Sequence, residues 1–332
     1  MIVVNYHDDL NEVQGDRVLA ALLRAPDARA PFDRIEWWQG LVRHCGLLPL
    51  IAVARDGVRR CALPLLRQGR DIAALGNWYN FTVAPIMAAG DSDLDLFTAL
   101  ARDLAGQAPR VTLAPLAEEA ADLTERAFSN AGWAVWRDQC DINHVLHLKG
   151  RSYADYLAAR PGPLRTTLKR KTNKVSVIIE TTFNPASWAA YEAIYAQSWK
   201  PEEGSPEFLR AFAQEEGAAG RLRLALAHAD GEPVAAQFWT VENGTAYIHK
   251  LAHTEASKPL SPGTTLSAAL FERVIDIDKV ETVDFGTGDN PYKRDWMEEI
   301  RPRYRLTMYR PGWPGNWPRM AKAALRHMLK RG

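Results

Sequence analysis

The second half of the chain alternates short apolar runs with amphipathic segments. Three strand-like runs, at 221–229, 233–242 and 245–253, are separated by Asp230-Gly231 and Asn243-Gly244. Both pairs tolerate the positive φ angles of a tight type I′ turn. The pattern therefore predicts a three-stranded antiparallel meander, preceded by a helix over 187–199.

A further helix and strand follow the meander. Apolar residues recur at helical spacing after the sequence SPGTT, at Leu266, Leu270, Val274 and Ile277. The run ETVDFG then has strand character, and a strand, helix, strand connection of this length is right-handed. The new strand is thus expected to lie parallel to the third strand of the meander. Asn290 and Pro291 predict the start of one more helix, before a strand over 304–310.

The first half repeats this plan. Its run LPLIAVARDGVRRCALPLL resembles LRLALAHADGEPVAAQFWT, with Asp56-Gly57 in the place of Asp230-Gly231. Strand-like, helix-like and strand-like segments then follow at 81–87, 93–106 and 110–117. We predict an α/β protein of two tandem modules, each a mixed, mostly antiparallel sheet flanked by helices. The predicted domains are residues 1–150 and 151–310, followed by a basic tail helix at 311–332; two unrelated α/β domains are the alternative.

Composition narrows the functional classes. The 332 residues are 47% hydrophobic and 24% charged, which is typical of a folded globular protein. A net charge of +1 gives no global attraction to nucleic acid or anionic membranes, so any polyanion site must be local. Three widely spaced cysteines indicate neither a disulfide framework nor a cysteine-based metal site. The start of the chain lacks a signal-peptide pattern, so a cytoplasmic enzyme or binding protein is expected.

The strongest chemical signal is the start of the helix after the meander. Ser261 suits the N-cap, Pro262 suits the first helical position, and Gly263 allows a ligand to approach the backbone closely. The amides of Gly263, Thr264 and Thr265 are expected to face outward and to bind phosphate. Capping by water alone is the alternative.

The matching helix start in the first half differs in charge. It carries Asp91, Asp93 and Asp95, whose carboxylates suit the positive end of a helix but would repel a pyrophosphate. The sequence therefore predicts one anionic donor per chain, in the second module.

These segments carry a family resemblance. The succession AHADGEPVAAQFWTVENGTAYIHKLAH, SPGTTL and VDFGTGDNPYKRDW resembles the GNAT-type acetyltransferase domain of FemAB-like and cellulose-biosynthesis-type (CelD/BcsL-like) proteins. The resemblance implies acetyl-CoA or another acyl-CoA as the donor, its pyrophosphate on Ser261 to Thr265, and no metal. The usual GNAT loop, Arg/Gln-x-x-Gly-x-Gly/Ala, is absent here. Fem-type relatives use aminoacyl-tRNA, so tRNA stays open as an alternative partner.

Candidate catalytic groups lie at the ends of the two parallel strands, where ligands bind in α/β sheets. The first strand ends with Lys250, assigned to the donor site, and His253. The second ends with Asp284, a candidate base or acceptor-orienting group, and leads to Asp289. The resemblance also points to Lys293, whose ammonium would neutralise a developing oxyanion. A solvated, ion-paired lysine is the alternative.

Acceptor contacts are assigned to six residues near these strand ends and the helix before the meander. They are Trp199, Lys200, Gln237, His249, Tyr292 and Trp296. Trp199 and Lys200 follow that helix, where the resemblance places acceptor contacts, and a tryptophan can stack on a sugar or a nucleobase. Core packing is the alternative for the aromatic residues.

Two basic segments remain outside this site. The cluster of Arg165, Lys169, Arg170, Lys171 and Lys174 suits the phosphates of coenzyme A, a nucleotide sugar, tRNA or a lipid-linked saccharide, or is a solvated helix face. The tail at 311–332 is modestly amphipathic and is expected to touch the inner face of a membrane or to pack back on the module.

The function that follows is transfer of an acyl group from acyl-CoA to an amine or hydroxyl. The acceptor is a small molecule or a saccharide, such as a cell-envelope or exopolysaccharide precursor for cellulose or another polysaccharide. An aminoacyl-tRNA-dependent transferase acting on a peptidoglycan-type precursor is the first alternative. A non-catalytic binding module with the same fold is the second.

Overall fold

The computed structural model describes residues 1–24, 28–87 and 93–331, so that Asp91 and Gly332 lie outside the described residues. Strands and helices alternate along the chain. The strands are β1 (Val3–His7), β2 (Pro49–Asp56), β3 (Arg59–Gln68), β4 (Asp71–Ala74), β5 (Ile86–Met87), β6 (Arg110–Leu116), β7 (Ala134–His147), β8 (Ser176–Glu180), β9 (Leu222–Ala229), β10 (Glu232–Glu242), β11 (Thr245–His253), β12 (Thr282–Thr287) and β13 (Glu299–Tyr309). The helices are α1 (Leu10–Gly15), α2 (Arg17–Leu22), α3 (Ile35–Cys45), α4 (Leu94–Leu104), α5 (Glu118–Asn130), α6 (Tyr153–Ala158), α7 (Gly162–Lys171), α8 (Pro185–Ala196), α9 (Pro206–Ala218), α10 (Pro262–Glu272), α11 (Pro291–Trp296) and α12 (Trp317–Arg331).

The chain divides into two compact units. The first unit is Met1–Ile142 together with Pro302–Gly332, and the second is Asn143–Arg301. The predicted division was 1–150 and 151–310. Residues 302–310 and the tail helix α12 therefore group with the first unit, because β13 pairs with β6 there from Tyr304 to Tyr309.

The sheet of the first unit has the strand order β1-β2-β3-β4-β6-β13. Its described pairs are antiparallel except β4 with β6, which is parallel. The β2–β3 hairpin turns at Asp56-Gly57, as predicted, with Gly57 at φ +57°. The segment 81–87 forms a strand only at β5, since Pro85 cannot donate to a ladder. Helix α4 packs on this sheet, and its buried face contributes Phe97 and Leu100 to the core.

The second unit repeats this arrangement with the strand order β7-β12-β11-β10-β9-β8. The meander of β9, β10 and β11 is antiparallel, with Asp230 and Asn243 at positive φ in its two turns. The crossover through α10 returns β12 parallel to β11, as predicted. A 3-10 helix at Glu255–Leu260 lengthens that crossover. The predicted fold class, two modules with mixed and mostly antiparallel sheets flanked by helices, is confirmed.

Aromatic side chains fill the core on both faces of this second sheet. On the α10 face, Trp239 and Trp296 pack against Phe271, and the rings of Phe271 and Trp296 are stacked with centroids 4.9 Å apart. On the opposite face, Trp188 packs edge-on against Phe238 at 5.3 Å. Each such buried ring contributes a large apolar area, so the two clusters fix α10 and α8 on the sheet.

A buried ion pair fixes the turn that leads from α10 into β12. Arg223 on β9 donates from Nε and Nη2 to the two carboxylate oxygens of Asp278, at 2.8 and 2.9 Å, and Arg273 donates to the same group. Burial raises the pKa of Asp278, but the hydrogen bonds and charge of Arg223 outweigh it, so the net shift is downward. The pair therefore ties the start of β12 to the meander.

We expect Asp278→Asn to lower the free energy of unfolding by about 3 kcal/mol at neutral pH, because it leaves a buried guanidinium without its partner. The pKa of Asp278 in the folded state lies below its unfolded value of about 3.9. The carboxylate therefore stabilises the folded state fully above about pH 3.9, and this stabilisation is lost as the pH falls through the folded-state pKa. The difference from wild type should thus shrink in urea titrations towards pH 3. The exposed Asp295→Asn is the matched control; an equal loss there, or a pH-independent difference, would contradict the assignment.

Candidate functional site

Strands β11 and β12 pair over only part of their length. The parallel register joins Thr245–Tyr247 to Thr282–Asp284 and then stops, although β11 continues to His253 and β12 to Thr287. A bulge between Phe238 and Trp239 on β10 shifts the register of β11 at the same level. The C-terminal ends of two parallel strands therefore separate, which is where ligands enter α/β sheets.

The start of α10 lies beside this opening. Ser261 adopts the left-handed conformation, with φ +55°, and Pro262 has no N–H. The amides of Thr264 and Thr265 donate to the carbonyl of Ser261 at 3.2 and 3.3 Å. The prediction that these two amides face outward is therefore wrong, because they close the first turn of the helix. The amide of Gly263 is the remaining donor of the predicted three.

The surroundings of Gly263 leave room for a ligand and are positively charged. Among the described residues, a Cβ built on Gly263 would have one neighbour within 4 Å, Cδ2 of His253 at 3.6 Å. Lys171 donates from Nζ to the carbonyl of Pro259 at 3.0 Å, and Lys258 is exposed on the 3-10 helix. Lys171 contacts the segment that leads into α10, Lys258 belongs to that segment, and both carry charge of the same sign as the start of the helix. The corner thus combines the amide of Gly263, for which the described residues show no acceptor, with positive charge, an arrangement that suits an anionic group.

Trp199 lies next to the same corner. Its ring contacts that of His253, with centroids 4.5 Å apart, and about half of its surface, 48%, is exposed. His253 donates from Nδ1 to the carbonyl of Thr254 at 3.0 Å, which fixes its ring. Trp199 is therefore available to a ligand at the α10 start.

Gln237 holds the start of α10 from inside the core. Its amide donates to the carbonyl of Gly263 at 3.1 Å and to Oγ of Ser267 at 2.7 Å, while its oxygen accepts from Nε1 of Trp239 at 2.9 Å. The side chain is buried. Gln237 therefore positions the helix, and its assignment to acceptor binding is wrong.

Lys293 is buried at the end of β12. Its ammonium donates to the carbonyls of Phe285, Gly286 and Thr287, at 2.9, 3.4 and 2.5 Å. These three acceptors match the three N–H donors of an ammonium group. No N–H remains for an oxyanion, so the structure assigns Lys293 to anchoring α11 on the strand end and not to transition-state stabilisation.

Asp284 is also fully engaged. Its Oδ1 accepts from Nδ2 of Asn143 at 2.7 Å and from the amide of Gly286 at 2.8 Å, and its Oδ2 accepts from Arg301 at 3.3 Å. Arg301 in turn donates to Oδ1 of Asn143 at 2.8 Å. A buried carboxylate held by three donors is an organiser of the strand end, and the predicted role as a base does not fit these contacts.

Asp289 is the exposed carboxylate of the group. It accepts from Arg294, which lowers its pKa, and its Oδ1 lies 3.3 Å from Nε2 of His144 on β7. His144 is buried, and burial together with the charge of Lys293 lowers its pKa, so its ring is neutral at neutral pH. Asp289, which follows β12, and His144 on β7 therefore lie close together as an ionised carboxylate and a neutral imidazole.

A cavity of about 720 Å³ lies between α8 and α9. Lys200 lines it, together with Glu203, Tyr195 and Arg210. Glu203 also pairs with Lys250 of β11, Nζ to Oε2 at 2.7 Å, which connects the cavity wall to the strand beside the opening. Burial lowers the pKa of Lys250, and burial beside Glu203 raises the pKa of Tyr195 to about 12.

The side chains of the remaining predicted site residues contact other protein groups. Lys250 faces Glu203, so its assignment to the donor site is wrong. His249 is bonded at Nε2 to Oγ1 of Thr240, at 2.8 Å, within the aromatic cluster around Phe238. Trp296 is a core residue, stacked on Phe271, and not an acceptor contact. Tyr292 is half-buried against Phe285.

Some relevant residues were absent from the predicted site. Glu203 lies in the connection between α8 and α9, where KPEEGSPEF carries no motif. Arg301 follows a predicted helix. His144 and His147 lie on the same strand at a spacing that indicates no metal site. In the sheet, His144 is next to Asn143, which pairs with Thr287 at the C-terminal end of β12. The one sequence signal for His144 was the alternation of side chains along β7, which places His144 on one face of the sheet and Asn143 on the other.

The corresponding helix start in the first unit is occupied by ion pairs. Arg59 donates to both carboxylate oxygens of Asp95 at 2.9 Å and lies 3.6 Å from Asp93. That only the second module holds an anionic donor stays a prediction. Within the residues described, no group of three or more His, Cys, Asp or Glu side chains could hold a metal ion. Across that same part of the chain, no helix combines the length and the apolar character that crossing a membrane requires.

Comparison with known proteins defines the class of the second unit. Residues 153–294 match the family model of the acetyltransferase (GNAT) domain. The match includes the meander, the start of α10 and the opening between β11 and β12, and it covers fewer than half of the 332 residues. The predicted GNAT resemblance is confirmed for this segment. No curated protein sequence matches the chain significantly.

Solved structures share the whole tandem fold. FemX has a TM-score of 0.62 at 9% identity, over 91% of this chain and 96% of that one. The C-terminal domain of a putative lysylphosphatidylglycerol synthetase from Agrobacterium fabrum has a TM-score of 0.60 at 14% identity, over 96% of each chain. A tandem GNAT protein from the clavulanic acid biosynthesis pathway has a TM-score of 0.52 at 14% identity, over 94% and 99%. At these identities the similarity establishes the fold.

Proposed function

We propose that the second unit is an acyltransferase that takes an acyl group from acyl-CoA and transfers it to an amine or hydroxyl. The observation that carries the proposal is the separation of β11 from β12 beside the positively charged start of α10. The family match over 153–294 supports the same class of reaction. An acyl-CoA thioester supplies an activated carbonyl, the amine or hydroxyl of the acceptor attacks it, and coenzyme A leaves as the thiol; the protein supplies the binding sites for both substrates.

The residues present divide between donor and acceptor. The Gly263 amide, Lys171 and Lys258 are proposed to hold the donor phosphates, with Trp199 beside them. The cavity lined by Lys200 and Glu203 is proposed to hold the acceptor, because the Glu203–Lys250 pair brings its wall to β11.

Proton transfer requires a group at the mouth of the opening. Asp289 and His144 are proposed to accept the proton that the acceptor loses on attack, since Asp289 is exposed and His144 is neutral. Asp284 and Lys293 keep the strand end in place for this pair.

Donor binding tests the proposal directly. We expect acetyl-CoA or a longer acyl-CoA to raise the melting temperature of the full chain and to bind saturably in calorimetry. Incubation with a panel of amines and hydroxyl compounds should then release free coenzyme A thiol. If no acyl-CoA binds and charged tRNA binds in a steeply salt-dependent manner, the aminoacyl-tRNA alternative replaces the proposal. Saturable binding without turnover on any acceptor favours a binding module.

A variant that fills the cavity separates the acceptor site from the donor site. Ala196 is exposed and lines the cavity, whereas Ala193 is exposed on the same helix outside it. Ala196→Trp is expected to raise the acceptor KM about tenfold or more while acyl-CoA binding stays unchanged. Ala193→Trp should affect neither; equal effects of the two variants would exclude the cavity as the acceptor site.

A further inference from the structure

Helix α7 and the turn after it carry five basic side chains that the proposed site leaves mostly unused. They are Arg165, Lys169, Arg170, Lys171 and Lys174, and all but Lys171 are exposed. Within the described residues, none of them forms an ion pair with a carboxylate. Arg165 and Lys171 donate instead to the backbone carbonyls of Arg160 and Pro259, at 3.1 and 3.0 Å. The surface therefore has a locally uncompensated positive charge, although the chain is nearly neutral.

A mainly apolar groove, whose lining also includes Asn173 and Glu272, runs beside these charges. It consists of two adjoining depressions of about 500 and 410 Å³, which share Leu157, Leu168 and Thr172. The first lies between α6 and α7, and the second reaches β8 and α10. Basic side chains of Arg165 and Lys169 line the first depression. Charge and apolar surface are thus adjacent, which is the arrangement that an amphipathic anion requires.

A buried polar atom lies in the second depression. Thr265 on α10 lines it, and within the described residues its Oγ1 has no hydrogen-bond partner although the residue is buried. A buried hydroxyl without a partner is costly unless a ligand or water satisfies it. The groove therefore has a polar group available at its inner end, next to apolar Val177 and Ala268.

We propose that this surface binds an anionic phospholipid at a membrane, with an acyl chain in the groove and the phosphate on the basic residues of α7. A polynucleotide would use the positive charge but has no use for an apolar groove, so the combination favours lipid. The surface lies next to the start of α10 through the contact of Lys171 with Pro259. A lipid bound there brings the proposed transfer site to the membrane surface.

Vesicle binding by the full chain tests this inference without acyl-CoA. Co-sedimentation is measured with vesicles that mix phosphatidylglycerol with phosphatidylcholine, and with phosphatidylcholine alone. We expect binding to the anionic vesicles only. The triple variant Lys169→Gln, Arg170→Gln, Lys174→Gln removes three exposed charges and should lower the partition coefficient about 100-fold. Because no donor is present, this result is independent of the proposed acyl transfer.

Two controls distinguish the α7 surface from the tail helix and from a general effect of charge. The tail variant Arg319→Gln, Lys322→Gln, Arg326→Gln removes the same charge from α12 and should retain most of the binding. In the groove, Ala158→Glu introduces a carboxylate into the first depression, whereas Ala159→Glu adds the same charge beside it. We expect Ala158→Glu to weaken binding at least about tenfold more than Ala159→Glu, because only the former buries a charge against the acyl chain.

Three outcomes would overturn the proposal. Binding to anionic vesicles that the α7 variant leaves unchanged would exclude this surface. Loss of binding in the tail variant alone would assign the membrane contact to α12. Binding of tRNA that the α7 variant abolishes, with no binding to vesicles, would make the surface a polynucleotide site.

Discussion

Gly263→Asp is expected to weaken acyl-CoA binding about 100-fold while the protein stays folded. The new carboxylate would stand at the positive end of α10, next to the amide proposed to meet the donor phosphates, and would repel them. The same charge suits a helix start, so thermal stability without ligand should be equal to wild type or slightly higher. Calorimetry with acetyl-CoA and a thermal melt without it measure the two effects.

Gly263→Ala is the matched control for size. A methyl group at this position meets Cδ2 of His253 at 3.6 Å, an ordinary contact, and carries no charge. The Gly263→Ala variant should therefore bind acyl-CoA with an affinity close to that of the wild type. If Gly263→Asp also bound normally, the donor phosphates would have to lie elsewhere in the second unit.

Lys293→Met is expected to destabilise the protein by about 3 kcal/mol, because three buried carbonyls at the end of β12 lose their donor. The melting temperature should fall by roughly 10 °C. Turnover should fall with it, since Gly286 and Thr287 then lose the constraint that positions the strand end. Urea unfolding and a thermal melt provide the measurement.

Arg294→Met controls for the loss of one positive charge on the same helix. Arg294 is exposed and pairs with Asp289 at the surface, so its removal should change stability little. A Lys293→Met variant that melts like wild type but has lost turnover would restore the oxyanion role that the sequence predicted for this residue.

Much of the second unit could be predicted from sequence because its signals are local. The turn pairs Asp230-Gly231 and Asn243-Gly244 place residues at positive φ, and the apolar spacing in α10 identifies the face that packs on the sheet. The parallel placement of β12 then follows from the handedness of crossovers. The fold class could therefore be predicted from local sequence patterns, without knowledge of contacts between residues distant in sequence.

The site was harder to predict, since the role of a polar residue depends on partners remote in sequence. Lys293 and Asp284 are residue types that catalyse acyl transfer, and they lie at the end of a strand. However, the ammonium of Lys293 is hydrogen-bonded to backbone carbonyls. The carboxylate of Asp284 is hydrogen-bonded to Asn143 and Arg301. Gln237 likewise turns inward to hold α10. Helix-start geometry also failed in detail, because the amide of Thr265 makes the ordinary first bond of the helix and the turn at Ser261 also takes up the amide of Thr264, which a helix start normally leaves open.

The interruption of the first unit by the second has a consequence for biosynthesis. The sheet of the first unit includes β13, and the residues of β13 that pair with β6 follow Arg301, the last residue of the second unit. On the ribosome, the downstream unit is thus complete in sequence while the upstream one still lacks a strand. The amino-terminal unit is therefore the later of the two to be complete in sequence, whereas in most multidomain chains it is the first.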